Sequence, residues 1–464
     1  MSGEGPIGDD QEGARRTVTV VLPELTAAGS DELPTRQVAQ VQRRTLAVLV
    51  LTQVLSGAGV GTGVAIAALS AARLSGSDVV GGLALTCTAV GAALAAVSTA
   101  RIAARAGRGP ALLVGYLTAA AGALAAAVAV EIRSYPLLLA ASVPVGAATA
   151  TSLAARFAGT DLAAPQRRAR ALGIVLGATS LGIVIGPNLA DPAHHAAAVM
   201  GVAADAGPYL LCAGMFGLAA LGVGVGLRPD PLRLARRLHT ATGMPVHTAW
   251  HGHGSAPQAR LALVTIGLAQ LVMVGVMSMA PVHMGHGGAG LRTVGIVISF
   301  HTAGMYALSP VFGWVSDRRG RLPVLAMGAG LLAVAGVVAG TAGPHDITTL
   351  SFGLFLLGLG WSAAVVSGSA LLVDAVPIAD RPRVQGRADM VVNLSGALGA
   401  SSAGVTVAAT SYGMLGALAA GLATFVLAAV LRARRGATRS LASSRITSDL
   451  PRGDAAGGAG VGTR

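Results

Sequence analysis

The chain has 464 residues, of which 53% are apolar and only 11% charged, with a mean hydropathy of +0.67. Soluble domains carry roughly 25% charged residues, so the composition excludes a string of soluble domains and indicates a polytopic membrane protein. The formal net charge of +13 would suit a polyanionic partner, but every basic residue is arginine, and the placement of the arginines assigns that charge to membrane topology and excludes nucleic acid.

Residues 1–42 open the chain as a polar, acidic tail, with Asp9, Asp10, Glu12, Glu24, Asp31 and Glu32. A disordered cytoplasmic segment is expected there, with no secretory signal, and the first apolar stretch is expected to be an uncleaved anchor. A crossing helix needs about 20 apolar residues. Residues 43–227 supply six such stretches, at 45–69, 79–98, 111–130, 136–155, 171–190 and 207–227. A linker follows at 228–259. Residues 260–432 supply six more, at 261–282, 292–312, 323–342, 347–372, 390–409 and 412–431, and a second disordered tail is expected over 433–464. Backbone in hydrocarbon must satisfy its own hydrogen bonds, and no alternating barrel strands occur, so the spans are helices. The fold class is therefore all-α, with twelve transmembrane helices.

Twelve spans put both ends of the chain on one side. Thirty arginines fall on that side and three, Arg73, Arg133 and Arg292, on the other. Arginine-rich loops stay inside, which predicts a plasma-membrane protein with cytoplasmic termini. In the linker, "PLRLARRL" is basic and amphipathic and suits the surface of the inner leaflet. His239, His247, His251 and His253 of the linker, and His283 and His286 at the end of the seventh span, lack the ordered support a zinc site needs, and no metal is expected. Cys87 and Cys212 fall within spans and read as small buried hydrophobes.

The loops carry a repeat. Asp161, Arg168 and Arg170 after the fourth span match Asp374, Arg381 and Arg383 after the tenth, each offset by 213 residues. Gly173 and Gly386 keep that offset, as do Gly186 and Gly399. It also places Arg105, Gly107, Arg108 and Leu112 on Arg318, Gly320, Arg321 and Leu325. Two parallel six-helix halves follow, a transporter design with the solute site where the halves meet.

The turn "GWVSDRRGRLPVL" at 313–325 is the most specific signal. With Gly313, Asp317, Arg318, Gly320 and Arg321 it resembles the motif after the second helix of each half in the major facilitator superfamily. The first-half copy, "ARIAARAGRGPAL", has Ala100 and Ala104 where that motif has Gly and Asp. The resemblance covers roughly 43–432 and implies a gate on the cytoplasmic face. Asp317 would sit on the N-terminus of the fifth span near Arg168–Arg170, where the helix dipole favours an anion. In "GATSLGIVIGPNL", Gly182, Gly186 and Pro187 resemble the core of the antiporter motif of drug-exporting members, with Asn188 and Leu189 following where a further glycine pair is usual.

The superfamily lines its cavity with the first and fourth helices of each half. That implies Gln53, Gln270 and Trp361 at the solute site, with Met273 and Met277 as adaptable wall residues. Ionisable groups at membrane depth are costly and often functional. His301 in the eighth span is the candidate proton carrier; the alternative is a neutral ring bonded to a neighbouring carbonyl. Asp161, Asp374 and Asp389 with Arg168 and Arg381 form a candidate charge network, or cap helices. Asn188 and Asn393 are expected to bond between helices. No phosphate loop, Ser-His-Asp set or His-Glu-x-x-His occurs, so no enzyme and no cofactor is expected. The expected function is secondary export of a small, largely apolar solute by a monomer coupled to protons. The alternatives are an importer or facilitator of a metabolite, or a non-transporting sensor or scaffold of the same fold.

Overall fold

The computed structural model describes residues 32–76, 78–241 and 255–448. Residues 1–31, the linker stretch 242–254 with His247, His251 and His253, and residues 449–464 lie outside the described residues. Among the described residues there are no strands, and twelve helical spans are long and apolar enough to cross a bilayer. The first half comprises α1 (Glu32–Ser75), α2 (Asp78–Ala106), α3 (Arg108–Glu131), a fourth span in two pieces, α4 (Tyr135–Val145) and α5 (Ala147–Ala158), then α6 (Arg168–Val199) and α7 (Gly207–Gly226). The linker contains α8 (Pro231–Ala241). The second half comprises α9 (Ser255–His286), an eighth span split into α10 (Leu291–Tyr306) and α11 (Ser309–Arg319), then α12 (Arg321–Thr341), α13 (Ile347–Ala375), α14 (Arg381–Ala409) and α15 (Tyr412–Ser448).

Helices outrun the apolar stretches that announce them. Residues 32–42, expected in the tail, are the start of α1, and residues 433–448 continue α15. The linker region is partly helical as well, through α8 and the first turn of α9. Hydropathy reports only the lipid-immersed part, whereas Ala, Leu, Gln and Arg favour helix in water too. The two divided spans each break beside a proline, Pro144 and Pro310, whose missing N–H leaves a carbonyl without its helical donor.

The 213-residue repeat is present in the backbone. Gly107 (φ +92°) and Gly320 (φ +94°) make the same left-handed turn, each capping a helix that starts with an arginine, Arg108 or Arg321. Only glycine adopts that φ without strain.

Within each half, glycines let helices touch. A Cβ on Gly182 or Gly186 of α6 would overlap the α1 backbone at Val54 or Ala58. Gly399 of α14 lies in the same way against Leu271 of α9. Such close approach is how helices associate where lipid removes the usual hydrophobic driving force. The largest apolar cluster is built on α9, α12, α13 and α15 but also takes in Phe157, Ala169, Leu172 and Leu176 of the first half, so the halves share an apolar seam. Outward-facing Leu94, Leu117, Leu221, Val337 and Phe425 are half or more exposed, as lipid contact requires.

Candidate functional site

The halves are drawn together at their arginine-rich ends. Helix α6 crosses the α10–α11 break so closely that a Cβ on Gly173 would overlap the Ser309 carbonyl, and one on Gly313 the Ala169 carbonyl. On the opposite side of the pseudo-twofold axis, Gly386 of α14 lies on Ala100 of α2.

Asp317, at the end of α11, reaches across the first of these crossings. Its Oδ1 accepts the Ala169 N–H at 3.1 Å and its Oδ2 the Arg170 N–H at 2.8 Å. These are donors that the first turn of a helix leaves free, at its positive pole. Arg321 pairs with Asp317, donates Nε to Asp374 at 3.0 Å and Nη2 to the Pro165 carbonyl at 2.7 Å. Arg168 closes the set by donating to Asp374 at 2.7 Å. Asp317, Arg321, Asp374 and Arg168 thus form one network across the halves. Arg318 stays outside it, its guanidinium 4.3 Å from the centre of the Trp314 ring.

The first half repeats part of this arrangement. Arg108 holds buried Asp161 through Nε at 2.8 Å, just as Arg321 holds Asp374, and also reaches Gln385 of the second half. Asp161 and Asp374 therefore serve arginines and do not cap helices. Ala104 stands where the acid is missing, and the linker fills the gap. Asp230 accepts the Gly109 N–H at 2.7 Å; Arg236 of α8 donates to the Ala104 carbonyl at 3.1 Å and reaches the Ala379 carbonyl of the second half at 3.5 Å. Arg381 is buried and donates to the Val376 carbonyl at 3.4 Å, not to an acid.

Deeper in, a second tie joins the halves. Arg156 of α5 donates Nη2 to Asp389 of α14 at 2.9 Å, with side chains 1% and 3% exposed. Among the described residues its Nε and Nη1 have no partner, and its guanidinium lies 4.7 Å from the centre of the Phe157 ring. Tyr306 of α10 meets Trp361 edge-on at 5.6 Å. Trp361, midway along α13, donates to Gln270 of α9 at 2.6 Å. The structure thus has two sets of contacts here: Asp389 with Arg156 across the halves, and Tyr306 with Trp361 and Gln270.

Several expected roles are altered by packing. Gln53, expected on the cavity wall, is 1% exposed and saturated inside the first half: it donates to the Ser152 carbonyl and Thr179 and accepts from Tyr116. It has no free polar atom for a solute. His301 takes the bonded alternative: its Nδ1 lies 2.7 Å from the Leu354 carbonyl, so the proton is on Nδ1, while buried Nε2 has no partner among the described residues. Met273 is core; Met277 packs beside it. Asn188 and Asn393 bond back to Val184 and Asp389 carbonyls on their own helices, not between helices. Gly182, Gly186 and Pro187 sit at the α1–α6 crossing, where Thr62 donates to the Gly186 carbonyl at 2.7 Å.

Sequence reasoning missed Arg156 as a site residue, because it reads as one more arginine at the end of a span. It lies one residue past the apolar stretch 136–155, next to a loop that already holds Asp161, and its actual partner is 233 residues away, so nothing local singled it out. Arg108 could have been found from its 213-residue match to Arg321.

Comparison with known proteins agrees with this architecture. The Major Facilitator Superfamily profile matches residues 49–292 and 262–454. The chain is 38% identical over 398 residues to the uncharacterized MFS-type transporter YdeG of Bacillus subtilis, covering 85% of this chain and 92% of that one. It is 25% identical over 354 residues to the riboflavin transporter RfnT of Brucella anthropi, covering 76% and 86%. In three dimensions it resembles the human organic anion transporter MFSD10 (TM-score 0.68, 16% identity, 84% of this chain and 99% of that one) and the proton:xylose symporter XylE (TM-score 0.60, 15% identity, 85% and 96%). The chain is a multi-pass membrane transporter of the Major Facilitator Superfamily.

Proposed function

We propose that this protein is a monomeric exporter of the plasma membrane, with both termini cytoplasmic, that moves a small, largely apolar solute outward in exchange for protons. The observation that carries the reading is the buried Arg156–Asp389 pair, which ties the two halves below an aromatic floor of Tyr306 and Trp361. A proton on Asp389 removes the charge that holds Arg156, so the arginine-rich end can part and admit solute from the cytoplasm. Loss of the proton to the cytoplasm restores the pair and closes that end. The Asp317 gate adds a second, proton-independent latch. Solute contact falls to Gln270, Trp361 and Tyr306, with the free Nε2 of His301 as a further acceptor. The arginine bias supports the orientation.

A second reading, uptake or facilitated passage of a metabolite, gains support from the Brucella relative named as a riboflavin transporter. Proteoliposomes carrying a pH-sensitive dye and a panel of riboflavin and apolar planar compounds separate the two. Solute-driven proton movement in the opposite direction, lost in Asp389→Asn, is the expected result. Co-directional protons would indicate uptake by symport, and solute movement indifferent to a pH gradient would indicate facilitation.

A further inference from the structure

At the arginine-rich end a groove of about 700 Å³ lies between α1, α6 and α8. Arg43, Arg167 and Arg170 line it, over an apolar floor that includes Leu46, Ile174 and Leu238, and no acid among the described residues lines it. All three arginines are exposed, and among the described residues none has a side-chain hydrogen-bond or ion-pair partner. The apolar stretches of the first and fifth spans begin at 45 and 171. The three guanidinium groups therefore sit just outside the hydrocarbon, and Leu46 and Ile174 just inside it.

We propose that this groove binds an anionic phospholipid, its phosphate on Arg43, Arg167 and Arg170 and its chains along α1 and α6. Three unpaired cations at headgroup depth above an apolar floor match an amphipathic anion; a soluble phosphate would use only the upper part. The occupant also bears on the gate. Arg170 lends its backbone N–H to Asp317, so a lipid held by Arg167 and Arg170 pins the first turn of α6 where Asp317 docks. Bound lipid favours the arrangement closed at this end.

Native mass spectrometry and thermal melting of the full chain, with phosphatidylglycerol, phosphatidylcholine or glycerol 3-phosphate added, test this. Phosphatidylglycerol should be retained and raise Tm. Each Arg→Gln change among Arg43, Arg167 and Arg170 should weaken its retention roughly fivefold, whereas R101Q, R105Q and R383Q, on the same face outside the groove, should leave it unchanged. Equal retention of phosphatidylcholine, equal loss in the control variants, or the same Tm rise with glycerol 3-phosphate would overturn the proposal. Phosphatidylglycerol binding only after deletion of residues 2–31 would also overturn it, assigning the groove to the acidic N-terminal segment.

Discussion

A buried guanidinium with one carboxylate partner is a costly arrangement, and Arg156 is held that way between the two halves. Removing one partner of such a pair costs about 3–5 kcal/mol, because the other charge is stranded, while replacing both with apolar groups is often tolerated. Asp389→Asn should therefore lower Tm markedly, and Arg156→Met with Asp389→Leu should recover it yet flatten the pH dependence of transport. Melting curves and pH–rate profiles of the single and double variants check this; a double variant with the wild-type profile would remove the pair from proton coupling. Asp317 acts through geometry and charge together. Asp317→Asn keeps one acceptor but loses the anion at the α6 pole and the Arg321 pair, so transport should fall roughly tenfold. Full-rate transport by normally inserted Asp317→Asn protein would deny this turn a gating role. Asp317's docking at Ala169 and Arg170 was legible in the motif and the repeat. The Arg156–Asp389 pair was not, since 233 residues separate the partners and no local pattern links them.

At the scale of elements, the halves meet at the arginine-rich end through backbones that touch. Gly313 and Gly173 have no space for a Cβ beside Ala169 and Ser309. Gly313→Val should hold α11 off α6 and leave the arginine-rich end open. Single cysteines introduced along α6 near Gly177 should then label faster from that side, and unchanged labelling would show that the crossing tolerates bulk. The spans were legible as elements because apolar length is a direct consequence of bilayer thickness. Their true ends were not, because α1 and α15 run on in helix-favouring sequence beyond the lipid. The divisions of the fourth and eighth spans had a signal in Pro144 and Pro310. Whether a proline bends, breaks or is absorbed depends on which neighbour satisfies the freed carbonyl.

For the whole molecule, transport by rocking of the halves requires the seam at the arginine-rich end to open and reform. With Cys87 and Cys212, both free thiols, replaced by serine, a short bis-methanethiosulfonate bridge between Arg168→Cys and Asp374→Cys, whose native side chains pair across the halves, should lock the seam. Transport should stop in the bridged protein and return on reduction to the level of the unbridged double variant; continued transport in the bridged protein would show that this seam does not open. Span number, the parallel halves and the arginine asymmetry follow from the sequence alone, because lipid thickness, backbone hydrogen bonding and loop charge act on each segment locally and leave their mark in composition and spacing. Which polar residues meet is decided only by tertiary packing. Gln53 is used up inside the first half, Arg236 of the linker occupies the place where Ala104 left no acid, and Arg156 finds Asp389. Each outcome depends on the faces two distant helices turn toward one another, and that rotation is set by the sum of many small contacts that no short stretch of the chain records.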